Sequence, residues 1–435
     1  MPALKTPPRS LLLLPPPPSL FLYPTLKAAY GAALSSVLSS VSETTSDSLE
    51  AAVLEIAVPI PYHYLPGHTQ WPRSQIYDQT QKLVAGLYSL ISTVCARDSI
   101  DIEGKGGVNA RILLIAYSSD LTYTNDDGFM PGKSLQGPIV DLPTLALSRR
   151  AWQRIFSVHS EEGELLLKQF LDLTDHIYGS GSKRPCWDVK RVDGVADINT
   201  PIEKHQGDQL LEPNRKIHYS VAVGGTFDHL HAGHKLLLTM TALLPEPHGL
   251  LNQQRRIIVG ITQDELLKNK KYAEFLESWE DRQQGVSSFL LALLDYSPPE
   301  ATSPDICQVS RSGPNERVVH IKLDPTLEIE CVAISDPFGP TITDKSISAL
   351  VVSGETRGGG QAVNAKRGEL GWSALEVFEV DVLEADEPGD GGKFGENFDG
   401  KISSTELRRR WGEKSAQLHR DRQEQMSRSF VAGPG

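Results

Sequence analysis

The sequence predicts an α/β protein of two units, the second and more regular one built on a parallel sheet. Two observations carry this. From residue 217 onward, short β-branched runs alternate with amphipathic stretches at the spacing of strand–helix–strand units. The chain of 435 residues also exceeds a single domain of roughly 100–200 residues.

The elements follow in order. Residues 1–25 read as a disordered Pro-rich leader, because Pro15 to Pro18 break the four leucines at 11–14. That apolar run is too short to span a bilayer. Residues 26–180 read as an N-terminal α/β domain. AAYGAALSSVLSSV (28–41) and the stretch from Arg73 to Cys95 are helical candidates, LEAAVLEIAVPI (49–60) is apolar, and ARILLIAYSSD (110–120) is a buried strand leaving into a turn. Residues 142–178 carry a long helical pattern that Gly163 interrupts. His63, His68, His159 and His176 are scattered and form no catalytic grouping. Residues 181–216 are a polar linker.

Residues 217–412 form the second unit. HYSVAVGG (218–225) is a strand entering a glycine turn, GHKLLLTMTALL (233–244) a helix and RRIIVGIT (255–262) the second strand. A mainly helical stretch covers 264–296, and 297–316 reads as a Pro/Ser-rich insertion. VVHIKL (318–323), SALVVSG (348–354) and ALEVFEVDVL (374–383) are the third, fourth and fifth strands. Ligands of such a sheet bind at the carboxyl ends of the strands. The acidic, Gly-rich segment 384–400 is a loop before a last helix, ISSTELRRRWG (402–412), and 413–435 is a flexible tail.

Composition narrows the function. A net charge of -12 argues against a nucleic-acid partner, and no segment reads as a membrane span. Four well-separated cysteines with no CxxC pair argue against a disulfide framework or a zinc site and fit the reducing cytoplasm.

Two constellations carry chemistry. In the first, Gly224 and Gly225 let backbone approach a bulky ligand, and Thr226, Phe227 and Asp228 lead to a helix starting near His231 or Ala232. The free N–H groups of its first turn favour a phosphate. His231 and His234 are three apart and share one face across Gly233, suiting them to polyphosphate oxygens. His229 faces away by spacing. In the second, Ser403 or Ser404 caps the last helix, with Thr405 beside it, Glu406 at the capping-box position and Arg408 one turn in. Hydroxyls, free N–H groups and a guanidinium make a second anion seat.

GTFDHLHAGH and ISSTELR resemble the paired signatures of the HxGH nucleotidyltransferase superfamily. The resemblance implies a Rossmann-like nucleotidyltransferase domain with parallel sheet, preceded by a second α/β domain. It assigns His231, Gly233 and His234 to the nucleotide phosphates, and Ser403, Ser404, Thr405 and Arg408 to the opposite side. VAVGGTFDHLHAGHKLLL, ISDPFGPTITD (334–344) and LVVSGETRGGGQAVNAKRGELG (350–371) narrow it to the eukaryotic, fungal-type monofunctional pantetheine-phosphate adenylyltransferase family. This adds Ser353, Glu355, Thr356 and Arg357 as adenylate-loop candidates. Bacterial members carry Thr where His231 stands and arginines in place of Ser353 and Thr356. No P-loop follows, so a dephospho-coenzyme A kinase activity is not expected.

The resemblance implies ATP and 4'-phosphopantetheine as substrates, Mg²⁺ arriving with ATP and no protein metal ligand. It also leaves room for association with other coenzyme A biosynthesis enzymes. His234, His231 and Arg408 are the catalytic candidates. Asp228 and Lys268 are the acceptor- or phosphate-side candidates, although spacing alone does not choose among Lys268, Lys270 and Lys271. A cytidylyltransferase with a phosphocholine-like acceptor is the rival enzyme reading, and a scaffolding protein the rival from another class.

Overall fold

A computed structural model describes residues 7–18, 21–44, 50–61, 72–104, 106–119, 137–178, 186–194, 216–247, 253–299, 301–310, 317–381, 383 and 404–413. The acidic segment 384–400, the tail from 414, Ser403, His63 and His68 lie outside the described residues, as do the side chain of His176 and most of the linker.

The first unit contains β1 (Arg9–Leu13), α1 (Tyr23–Glu43), β2 (Ala52–Pro61), α2 (Arg73–Arg97), β3 (Val108–Tyr117), β4 (Ile139–Asp141), α3 (Leu142–Leu147), β5 (Arg154–His159), α4 (Glu161–Tyr178) and β6 (Asp188–Asp193). The sheet order is β4-β3-β2-β1-β5-β6, and every described pair in it is parallel. The leucines read as a disordered leader are therefore a central strand. Leu11 to Leu14 have no exposed surface, because a parallel strand covered on both faces takes a continuous apolar run rather than an alternating one. The prolines after them end the strand instead of dissolving the segment. RIFSVH, absorbed into a long helical pattern in the sequence, is β5. The stretch read as the start of the linker contributes β6. The unit runs from residue 9 to 193, not from 26 to 180.

The second unit contains β7 (Ser220–Gly225), α5 (Ala232–Leu243), β8 (Arg255–Thr262), α6 (Trp279–Leu294), β9 (Asp305–Ser310), β10 (Arg317–Asp324), β11 (Leu327–Ile334), β12 (Ala349–Ser353), α7 (Arg357–Glu369), β13 (Glu376–Val380) and a final helix α8 over 404–413. Its order is β13-β12-β7-β8-β11-β10-β9. β13, β12, β7, β8 and β11 run parallel, whereas β10 is antiparallel to both β11 and β9.

The expected architecture, a parallel-sheet Rossmann-like domain preceded by another α/β domain, is thus corrected. The purely parallel, Rossmann-like sheet is the N-terminal one, and the unit that follows carries a mixed sheet. The connection from Asp324 to Leu327 explains the difference. It is far too short for a parallel crossover, which needs a dozen or more residues, so the chain turns back on itself. VVHIKL is the middle strand of this antiparallel ribbon. The strand that pairs in parallel with β8 is LEIECVAI, which the sequence pattern did not separate from its neighbour.

The two units are welded. α2 packs directly on α5, and one apolar core runs through both units. Tyr77 meets Phe378 with ring centroids 4.9 Å apart, and Gln81 Nε2 donates to Asp381 Oδ2 at 2.6 Å. Lys235 on α5 is buried and donates to Asn109 Oδ1 at 2.9 Å and to the Ala110 carbonyl at 3.0 Å, both on β3.

Because Leu12 is wholly enclosed in the first sheet, Leu12→Ala should destabilise the protein by about 2–5 kcal/mol. Urea unfolding checks this. A leader lying outside the core would give a change within about 0.5 kcal/mol.

Candidate functional site

The site grows from the end of β7. After Gly225 the chain makes a tight loop in which Phe227 (φ 54°) and His229 (φ 47°) both take left-handed backbone conformations. Non-glycine residues held there cost of order 1–3 kcal/mol each, so the surroundings must fix them. Asp228 between them does so. Its carboxylate is completely buried; Oδ1 accepts the Glu277 N–H at 2.9 Å, and Oδ2 is paired with the Arg408 guanidinium. Its carbonyl accepts from Ser404 Oγ at 2.9 Å. The Phe227 ring lies beneath Gly225, where a Cβ would approach it to 3.0 Å.

His231 is the N-cap residue of α5, with extended backbone (φ -89°, ψ 175°). Its ring stacks on that of His234 with centroids 3.9 Å apart and planes 25° apart. Gly233 makes this possible, since a Cβ there would sit 3.2 Å from the His231 ring. Burial, followed by the nearby charges of His231, Lys270 and His229, holds the His234 pKa well below the ordinary imidazole value. His234 is therefore neutral, and its Nδ1 is buried without a hydrogen-bond partner among the described residues.

Neighbouring loops converge on the same end of the sheet. β8 is in register with β7, and Thr262 Oγ1 donates to the Gly225 carbonyl at 3.2 Å. Among the candidate lysines, Lys270 is the one that reaches the turn, donating from Nζ to Thr226 Oγ1 at 3.0 Å. Partial desolvation and the cations Arg408 and Arg282 lower its pKa, with Asp228 opposing. Lys268 is exposed.

The register Val351↔Val223 brings Ser353 level with Gly225 two residues on. Ser353 and Thr356 form a reciprocal capping box around a short turn containing the exposed Glu355. Arg357 is held on the surface by Glu379, with Nε 2.6 Å from Oε2. Thr405 Oγ1 accepts from Arg408 Nη2 at 3.2 Å, and Arg408 Nε donates to the Lys271 carbonyl at 3.1 Å. Arg408 is thus buried on Asp228 rather than extended into open space.

Several residues were missed by sequence reasoning. Arg282 on α6 is buried and donates to the carbonyls of Thr226 (2.8 Å), Thr262 (2.9 Å) and Glu277 (3.1 Å), tying the ends of β7 and β8 together. His229, read as facing away, is almost fully buried. Its N–H donates to Glu277 Oε2 at 2.6 Å, Nδ1 lies 3.1 Å from Glu103 Oε2, and Nε2 lies 2.9 Å from the Phe275 carbonyl. Both ring nitrogens face acceptors. Burial opposes its charge, but the Glu103 carboxylate, the Phe275 carbonyl and Glu277 outweigh that and push the pKa up to about 9. Glu103 comes from the first unit, so no local signal could have placed it here.

Glu103, His229 and Glu277 also gather three donor atoms within 4.8 Å and are able to hold a metal ion. Doing so requires His229 to lose its proton. His320, Glu328 and Glu330 form a second such group on the antiparallel ribbon.

A glycine turn at a strand end, stacked histidines opening the next helix, and α8 pinned through Ser404 and Arg408 to the loop before them make up the site. Comparisons with known proteins place the chain among nucleotidyltransferase-type proteins. Residues 1–196 match a family model described as a domain of unknown function (DUF8446). An uncharacterized Schizosaccharomyces pombe protein is 37% identical over 203 residues, 46% of this chain and 51% of its own length. The Saccharomyces cerevisiae phosphopantetheine adenylyltransferase is 36% identical over 188 residues, 43% of this chain and 47% of the yeast protein. The chain thus spans about half the length of these two relatives. The phosphopantetheine adenylyltransferase of Thermococcus gammatolerans is 30% identical over 171 residues, which cover 39% of this chain and 82% of the archaeal one. The chain belongs to the phosphopantetheine adenylyltransferase family. A solved Archaeoglobus fulgidus protein of unknown function is 25% identical and covers 37% of this chain and 98% of its own, with a TM-score of 0.25.

The His229 pKa gives a pH signature. A folded value of about 9, above the ordinary 6.5, stabilises the protein fully below pH 6.5 and ceases to do so as pH rises through 9. The stability advantage of the wild type over His229→Gln should therefore be largest near pH 6 and shrink by pH 9.5. Urea unfolding of both proteins across that range is the check, and a pH-independent gap refutes a cationic His229.

Proposed function

We propose that the chain is a monofunctional, fungal-type phosphopantetheine adenylyltransferase that converts ATP and 4'-phosphopantetheine to dephospho-coenzyme A and pyrophosphate. The observation that carries this reading is the stacked His231–His234 pair, with His234 neutral, at the start of α5 just after the Gly224–Gly225 turn.

The acceptor phosphate is already an anion, so the reaction needs neither a general base nor an enzyme nucleophile. One of its oxygens attacks the α-phosphorus of ATP in line. The P–O bond to the bridging oxygen breaks, and pyrophosphate leaves with the electron pair. The protein's part is positioning and charge stabilisation. A neutral imidazole supplies an N–H to a phosphoryl oxygen without the repulsion of two stacked cations. Gly224, Gly225, Thr226, Phe227 and Gly233 shape the nucleotide side, together with Ser404 and Thr405 of α8, and the family resemblance adds Ser403.

Arg408 acts on this reading through Asp228, whose buried carboxylate keeps the loop in its strained form. Lys270 takes the phosphate-side position considered for Lys268, because it is the lysine that touches the turn. Ser353, Glu355, Thr356 and Arg357 lie on the adenylate side. Mg²⁺ bound with ATP supplies charge neutralisation of the triphosphate, held mainly by phosphate oxygens. Among the described residues no helix is long and apolar enough to cross a membrane, and all four cysteines are free. On this reading the enzyme works in the cytoplasm, in the company of other coenzyme A biosynthesis enzymes.

Purified chain given ATP and 4'-phosphopantetheine should yield dephospho-coenzyme A by mass, with stoichiometric pyrophosphate. His234→Ala should lower kcat by about 10²–10³ and weaken ATP binding far less, the loss typical of one preorganised donor. Turnover within about threefold of the wild type, set against that expected loss, removes His234 from the mechanism.

A further inference from the structure

Between the two units lies a cavity of about 720 Å³, within the range of roughly 300–1,000 Å³ usual for small-molecule sites. Its walls are the amino ends of β1, β2 and β3, the segment before β5, and the outer face of α6. Its floor is built by the first sheet, whereas the glycine turn stands at the carboxyl end of β7 in the second, with Glu103 between them. Val53, Ile102, Leu291 and Ala292 give it apolar patches, while four arginines, Arg9, Arg111, Arg149 and Arg150, and three carboxylates, Glu50, Glu103 and Asp295, give it charge.

The charges are not balanced where Arg111 sits. Arg149 is paired with Asp295, and the wholly buried Glu55 carboxylate is taken by Arg150 Nη1 and Trp152 Nε1, each at 2.7 Å. Arg9 reaches the same carboxylate only at 4.0 Å. Arg111 is 8% exposed and makes no hydrogen bond or ion pair among the described residues, and its Nε is a buried donor without a partner. Arg150 Nε is likewise buried and unsatisfied. Three guanidinium groups thus surround one carboxylate. Burying a cation without a partner is costly, and a ligand oxyanion offsets that cost. Arginine's planar fork suits carboxylate and phosphate oxygens alike.

We propose that this cavity is a binding site for a small organic molecule bearing a phosphate or carboxylate, with Arg111 as the anchoring cation and Arg9 and Arg150 beside it. The site communicates with the candidate active site through two cavity residues. Asn109 accepts from Lys235, the residue after His234, and Glu103 is paired with His229 in the glycine-turn loop. A second, smaller cavity of about 170 Å³ is also lined by Glu103, Asn109 and Arg111 and continues to Phe227 and Arg282 behind that loop. Occupancy at Arg111 therefore bears on the groups that hold α5 and the loop in place. The proposal rests on the cavity itself and does not require the adenylyl-transfer reading.

Titration calorimetry on the full chain, with phenyl phosphate and benzoate as separate probes, tests it. At least one probe should bind saturably, and the stronger of the two identifies the preferred oxyanion. Arg111→Met should weaken that binding by about tenfold or more, as expected for a lost charge-assisted pair. Without ligand its melting temperature should equal or exceed that of the wild type, because an unpaired buried charge has gone. Should Arg111→Met fail to fold, Arg9→Gln at the more exposed rim is the second variant, and it should weaken binding several-fold. His234→Ala should leave binding unchanged. Failure of both probes to bind overturns the proposal. So does binding that survives the arginine variants, or binding that is lost in His234→Ala, which would locate the anion at the glycine turn instead.

Discussion

The buried carboxylate of Asp228 is the constraint on which the site depends. It has no access to water, and it sits between two residues in left-handed conformation. A lone charge in such a place would be strongly unfavourable, so its partners are obligatory. Arg408 brings α8 across to it, and the Glu277 amide fixes the segment after β8. Segments separated by 49 and 180 residues in sequence are thus drawn to a single side chain. Buried ion pairs of this kind contribute little net stability against an apolar replacement, but removing one partner costs about 3–5 kcal/mol. The pair is better understood as specifying the loop's shape than as strengthening the fold.

That shape sets the chemistry around it. With the loop fixed, His231 turns onto His234 over Gly233, and burial, followed by the nearby cations, keeps His234 neutral. His229, four residues after the end of β7 and only two before His231, has the opposite fate because two carboxylates and a carbonyl face it. His229 and His234, five residues apart, therefore hold opposite protonation preferences, decided by what each one meets in space.

The first unit is part of this arrangement. α5, which begins at the histidine pair, lies against α2, and Lys235 is pinned to β3. Burial, reinforced by Arg111 and opposed by Glu103, brings the Lys235 pKa down to about 7. The helix that presents the histidines is thereby positioned by a residue whose charge is itself poised, and whose partner Asn109 lines the cavity between the units.

By itself the sequence determined the local pieces. The end of β7 at the double glycine, the start of α5 beside His231, the strand beginning at Arg255 and the hydroxyl-rich opening of the last helix all follow from short-range backbone preferences. The order of those pieces along the chain carried the family. Tertiary structure alone decided the rest. Whether VVHIKL runs parallel or antiparallel depends on which edge it finds, and a leucine run followed by prolines becomes a central strand only when two neighbours cover it. Arg408 was legible as a cation near the site, but its burial on Asp228 was not. Nor was the approach of Glu103 to His229 or the isolation of Arg111. The Arg408–Asp228 and Glu103–His229 contacts join residues 180 and 126 positions apart, and neither composition nor periodicity records which distant residues meet in space.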